Sequence, residues 1–278
     1  MKPALPEHPD VLIQGASIIA TPLALIESET HKGPVNPNKI RAIPVVADAL
    51  AVQGVAHANV WSAAMSGQQM SETAEFVHKY VRGAKAPRVL ALFIAPLLFA
   101  DVHEKSAADA TFEQAFNRAS HAIGIDWPRV HQWRQNIQLQ IVLNTSRTYH
   151  ALGLSEPISR QIEKEQSNYA RFYAGPLDQK RLSYLRQILD ECFERNVRVV
   201  LVSAPLAPAN RALMKRWSYA DYHRFIAGLA DARCTFIDLG QSTDFTWPHD
   251  FDDPAHTNDP GGRKMISDVA PAIAKFLR

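Results

Sequence analysis

The chain has 278 residues, 46% hydrophobic and 21% charged, the proportions of an ordinary globular domain rather than a disordered, collagen-like or coiled-coil chain. Its 30 Lys+Arg against 28 Asp+Glu leave a formal net charge of +2, too little field to collect nucleic acid or an anionic membrane surface. No stretch reaches the ~18–20 apolar residues that a bilayer span requires.

The first apolar run, Val11-Leu12-Ile13, leads into Gly15-Ala16-Ser17 and reads as a buried strand ending in a turn. Residues 43–52 carry helical spacing, His57 to Trp61 reads as a second short strand, and Glu72 to Val81 as a helix. Val89 to Ala95 is a continuous apolar run stopped by Pro96, the pattern of a central strand covered on both faces. From about residue 102 to 176 the alternation lapses, and an inserted helical region is expected there. Leu182, Leu185, Ile188, Leu189, Cys192 and Phe193 then form one apolar helical face. A strand follows at Val197 to Ser203, a helix from Tyr219 to Leu229 and a strand at Thr235 to Leu239. Asp259 as cap and Pro260 in the first turn open a last helix, with Pro271 as a kink point. Strands alternating with helices imply a three-layer α/β/α sandwich, a central and mostly parallel sheet in a single domain. The two cysteines, Cys192 and Cys234, stand in apolar stretches and read as small core residues.

In open α/β sheets ligands gather at the carboxyl ends of the strands, which is where the expected first turn would place Ser17. Alone, a serine there is more often a cap or a turn residue, and Ile19 rules out a Gly-x-Ser-x-Gly elbow. The run Asp250-Phe251-Asp252-Asp253-Pro254-Ala255-His256, just before the last helix, carries more. A serine hydroxyl needs a base to accept its proton, imidazole serves near neutral pH, and a carboxylate that orients the imidazole improves it. Asp253 and His256 are spaced to come from one loop. The same stretch also offers His249, Asp250, Asp252, Asp253 and His256 as a metal-ligand set. Yet no zinc-protease, EF-hand, dinucleotide or P-loop spacing occurs, Gly261-Gly262 included, so neither metal nor cofactor is expected.

Ser17 after the first strand together with Asp253-x-x-His256 near the C-terminus resembles the SGNH (GDSL-type) hydrolase superfamily. Gly15-Ala16-Ser17 corresponds to its first block, with Ala16 where the commoner pattern has aspartate. Asn59 through Ser66-Gly67 is similar to the second block, and Ile94-Ala95-Pro96 ends the strand that delivers the third. The resemblance implies Ser17 as nucleophile, His256 as base, Asp253 as its orienter, and the N–H groups of Ser17 and Gly67 as oxyanion donors. One departure stands out: no asparagine lies near Ala95-Pro96 to offer the third block's side-chain donor. Loss of one such donor costs ~10²–10³ in rate.

The stretch Ala95 to Asp101 further resembles a divergent, envelope-associated branch that includes polysaccharide O-acetyltransferases. From this follow the expected function, a serine esterase or O-acyltransferase acting on acyl esters of a carbohydrate, and envelope polysaccharide machinery as candidate partners. The rival is a catalytically degenerate protein that keeps the fold to bind polysaccharide or assemble partners. The polar, proline-rich start has no apolar signal core; it points to the cytoplasm if Met1 is the natural start, whereas the resemblance points to the envelope.

Overall fold

Alternating apolar side chains build the centre of the molecule. The computed structural model describes residues 8–32, 35–36, 41–81, 86–99, 177–208, 210–211, 219–247, 249–252 and 255–278. Six strands form one sheet: β1 (Val11–Gly15), β2 (Arg41–Ala42), β3 (Val60–Ser62), β4 (Val89–Ile94), β5 (Arg198–Ser203) and β6 (Cys234–Asp238). Their order is β2-β3-β1-β4-β5-β6. Every neighbouring pair is parallel except β2 with β3. The chain leaves β1 for β3 on one side and returns to β4 on the other, so the order reverses at β1. In an open parallel sheet such a switch point opens a crevice beyond the carboxyl ends of the strands.

The two faces of the sheet are read directly from residue parity. Val11, Ile13, Val89, Ala91, Phe93, Val200 and Val202 face one helical layer. It consists of α1 (Ser17–Thr30), α2 (Pro44–Val52) and the long C-terminal helix, which we label α6 (Asp259–Leu277). Leu12, Leu90, Leu92, Ile94, Val199 and Leu201 face the other layer. There lie α3 (Met70–Val81), α4 (Gln179–Glu194) and α5 (Tyr219–Ala227). Strand residues alternate faces because the pleat has a period of two, and burying one such side chain contributes ~1.5–3 kcal/mol. Cys192 and Cys234 both lie in the second layer as free, buried thiols. Burial pushes each thiol up to about 12. The α/β/α architecture expected from the sequence is the one observed.

Three local expectations shift. β3 begins at Val60 rather than His57. The cap of α6 is Asn258, not Asp259: its side chain accepts the Gly261 N–H at 3.0 Å, which moves Asp259 and Pro260 into the first turn. Helical pairing continues through Pro271 to Leu277. The expected insertion at about 102–176 lies outside the described residues.

Candidate functional site

β1 ends in a tight passage. Gly15 has φ +153°, and a Cβ there would stand 2.8 Å from both Ile19 Cγ2 and the Phe93 carbonyl oxygen. Only glycine lets the strand turn into α1 while β4 stays this close. Ala16 is the extended N-cap residue and offers no side-chain cap. Ser17 is therefore the first helical residue rather than the cap. It stands at the carboxyl edge of the sheet, with its N–H in the first turn where no intrahelical acceptor exists.

A second loop is held in place from below. Asp250 Oδ2 accepts the Thr246 N–H at 2.8 Å and the Thr246 hydroxyl at 3.3 Å. His249 Nδ1 lies 3.1 Å from Oδ1, and Lys264 Nζ of α6 is 3.7 Å from Oδ2. Burial by itself would raise this carboxyl. The Thr246 N–H, His249, Lys264 and the Thr246 hydroxyl outweigh burial and hold it below the usual carboxylate range. Asn258 closes the other end of the loop: its N–H donates to the Asp250 carbonyl at 3.2 Å and its Nδ2 to the His249 carbonyl at 2.7 Å. Between them Phe251 bridges Thr257, and the Asp252 N–H donates to the His256 carbonyl at 3.0 Å. The Gly261-Gly262 pair serves this docking. A Cβ on Gly261 would overlap the Asp250 carbonyl, and one on Gly262 would press on Pro22 and Ile26 of α1.

These two supports, 239 residues apart in sequence, bring His256 Nε2 to 2.8 Å from Ser17 Oγ. Both residues are partly exposed. With Nε2 unprotonated the hydroxyl donates to it, the arrangement by which an imidazole takes a proton from a nucleophile. Asp253 lies outside the described residues. In the metal-ligand alternative, Asp250 is engaged by Thr246, His249 and Lys264. Among the described residues no three His, Cys, Asp or Glu side chains gather into a ligand set.

Gly67 lies in the exposed turn between β3 and α3, with φ +76°. Its loop runs on beside β1, where the Ala63 N–H donates to Ile13 at 2.9 Å and the Met65 N–H to Gly15 at 3.0 Å. Asn59, at the other end of that sequence block, sits at the opposite edge of the sheet. Its carbonyl accepts the Asp10 N–H, and its side chain accepts Trp61 Nε1. The end of β4 continues into a 3₁₀ turn, Pro96–Phe99, whose apolar side chains include no donor. Sequence reasoning missed the work of Asp250 and Asn258 as loop anchors. The only local signal was an asparagine just ahead of Asp259-Pro260, a good N-cap in the right place.

A family model matches residues 153–278, under half of the chain. No curated protein matches the sequence. Among solved structures the chain is similar to a lipase/acylhydrolase from Enterococcus faecalis, with TM-score 0.49 and 13% identity over 95% of each chain. It is also similar to a GDSL-like lipase from Bacteroides thetaiotaomicron, with TM-score 0.42 and 11% identity over 95% of this chain and 87% of that one. The SGNH-hydrolase family esterase AlinE4 aligns with TM-score 0.41 and 13% identity over 98% of both. At these scores and identities the likeness assigns the chain neither a family nor an activity.

Proposed function

We propose that the chain is an SGNH-type serine esterase or O-acyltransferase that works through an acyl-Ser17 intermediate. The observation that carries the reading is the 2.8 Å contact between Ser17 Oγ and His256 Nε2 at the carboxyl edge of the sheet. In this reading the Ser17 oxygen attacks the acyl carbonyl carbon as its proton passes to His256 Nε2. The carbonyl electron pair moves onto oxygen, where the N–H groups of Ser17 and Gly67 receive it. Collapse re-forms the carbonyl and expels the alcohol, which leaves with the proton held by His256. Water or a sugar hydroxyl then attacks the acyl-enzyme by the same steps in reverse roles. Asp253 orients the imidazole. The substrate class, acetyl or other acyl esters of a carbohydrate, is supported by the sequence resemblance.

A second reading, a degenerate protein that binds polysaccharide, is favoured by the apolar end of β4 with no side-chain donor. Aryl acetate hydrolysis by the natural protein, Ser17→Ala and His256→Ala separates the two. A loss of at least ~10³-fold in both variants supports the catalytic reading. Equal background rates for all three proteins, with no fluorophosphonate labelling of Ser17, support the binding reading.

A further inference from the structure

We propose that Asp252 is a positioning residue for the base: paired across the loop from His256, its carboxylate stabilises the imidazolium that forms when Ser17 gives up its proton. This inference rests on the acyl-serine reading above and adds a residue that the sequence resemblance does not assign.

The two arms of the loop form a short antiparallel pair, and its register places Asp252. Phe251 bridges Thr257. On either side of that bridge the Asn258 N–H donates to the Asp250 carbonyl at 3.2 Å and the Asp252 N–H to the His256 carbonyl at 3.0 Å. Asp252 and His256 are therefore direct cross-strand partners. Side chains alternate along each arm, so those of Asp252 and His256 leave the pair on the same face, with Cβ atoms ~4.5–5.5 Å apart. A carboxylate and an imidazole meet at that separation without backbone movement. Burial follows the same alternation. Phe251 and Thr257, on the opposite face, are 2% exposed each, whereas Asp252 and His256 are both partly exposed. His256 Nε2 is 2.8 Å from Ser17 Oγ, so the face that Asp252 shares is the one that meets the nucleophile.

The neighbouring charged groups of the loop and of α6 are engaged elsewhere. His249 and Lys264 hold Asp250, and Arg263 pairs with Asp259. From α1 the group that faces the imidazole is the neutral Ser17 hydroxyl. The loop after β3, Ala63 to Gln69, carries no charged side chain. Proton transfer turns a neutral imidazole into a cation, and a carboxylate beside it favours that form. The attraction is absent before the transfer and present during it, which is the condition for raising kcat rather than tightening substrate binding.

The test is steady-state hydrolysis of an aryl acetate between pH 5 and 9 by the natural protein, Ser17→Ala, Asp252→Asn and Asp252→Glu, with thermal melts of each. Asp252→Asn keeps the shape and the backbone bond to His256 but removes the charge. Its kcat at the alkaline plateau should fall ~3–10-fold with KM nearly unchanged, and the acid-limb midpoint of kcat/KM should move ~0.5–1 pH unit lower. The two profiles then converge on acidification. Asp252→Glu restores the charge and both values, and added salt narrows the gap between the natural protein and Asp252→Asn. If Ser17→Ala is inactive and Asp252→Asn keeps its kcat and midpoint, or loses kcat with an unmoved midpoint and a lower melting point, Asp252 does not act on the base and the acyl-serine reading survives. If the natural protein and Ser17→Ala hydrolyse the ester equally, both readings fall together.

Discussion

The Asn258 N–H donates to the Asp250 carbonyl at 3.2 Å, and this bond closes the base of the loop that carries His256. Both residues are buried, 3% exposed each, and both use side chain and backbone at once. Asp250 holds the descending arm through Thr246 and ties it to α6 through Lys264. Asn258 caps that same helix. The imidazole is thus fixed to the start of α6, while Ser17 is fixed to the start of α1, and the packing of Gly262 on Pro22 and Ile26 locks the two helices together.

Asp250→Ala should therefore cost both stability and activity. Lost bonds to a buried carboxylate contribute ~1.5–3 kcal/mol, and an imidazole displaced by even 1 Å costs ~10–100-fold in kcat. The pH dependence has a definite sign. Because the carboxyl is held below its unfolded value, its contribution is complete above about pH 4 and is lost as pH falls through the native value. Urea midpoints of the two proteins should differ at pH 6 and converge in acid. A gap that widens on acidification contradicts this role.

Gly15→Ala should misplace Ser17 without touching it chemically. The new methyl meets Ile19 and the backbone oxygen of Phe93, and the latter cannot swing aside. A cost of ~2–4 kcal/mol is expected at a position that is both strained and crowded, together with a fall in kcat for ester hydrolysis. Wild-type values of both at Gly15→Ala would show that β1 and α1 absorb the methyl.

Much of this architecture was legible because its signals are local. Val89 to Ile94 is an unbroken apolar run, so β4 announced itself, and Ser17 and His256 stood in the right places relative to the first strand and the last helix. α1 was not legible. Residues Ile18 to Ser28 are all buried, so there is no polar face to set a 3.6-residue period, and Pro22 in the interior reads as a breaker. β2, two residues long, owes its place to contacts far along the chain. The anchoring role of Asp250 likewise depends on Lys264, 14 residues later, which no spacing rule connects to it.

The edge strand gives a sharper test of buried charge. Arg41 of β2 pairs through Nε with Glu27 Oε2 of α1, and both side chains are largely buried. Burial raises the Glu27 carboxyl above its ordinary value, against the opposing pull of Arg41. Arg41→Met should cost ~3–5 kcal/mol at neutral pH by leaving the carboxylate buried without its partner. The sign reverses that of Asp250. A raised native pKa means that the variant regains stability as pH falls and Glu27 protonates. Denaturation of Arg41→Met at pH 8 and pH 4.5 reads this directly, and a larger deficit at the lower pH would sink it.

Gln14→Leu should stabilise the protein. Gln14 is wholly buried next to the end of β1, in register with Leu92, and neither its Oε1 nor its Nε2 has a partner. Leucine has nearly the same volume and no group to desolvate, and the strand face it would occupy already carries Leu12 and Leu92. Removing an unpartnered donor and acceptor together should gain ~1–3 kcal/mol, seen as a higher urea midpoint with an unchanged slope. The paired measurement is ester hydrolysis. If Gln14 is only an unsatisfied core residue, kcat and KM stay at their natural values as stability rises. If the variant instead loses stability, its carboxamide is bonded in solution and the burial argument fails at this position.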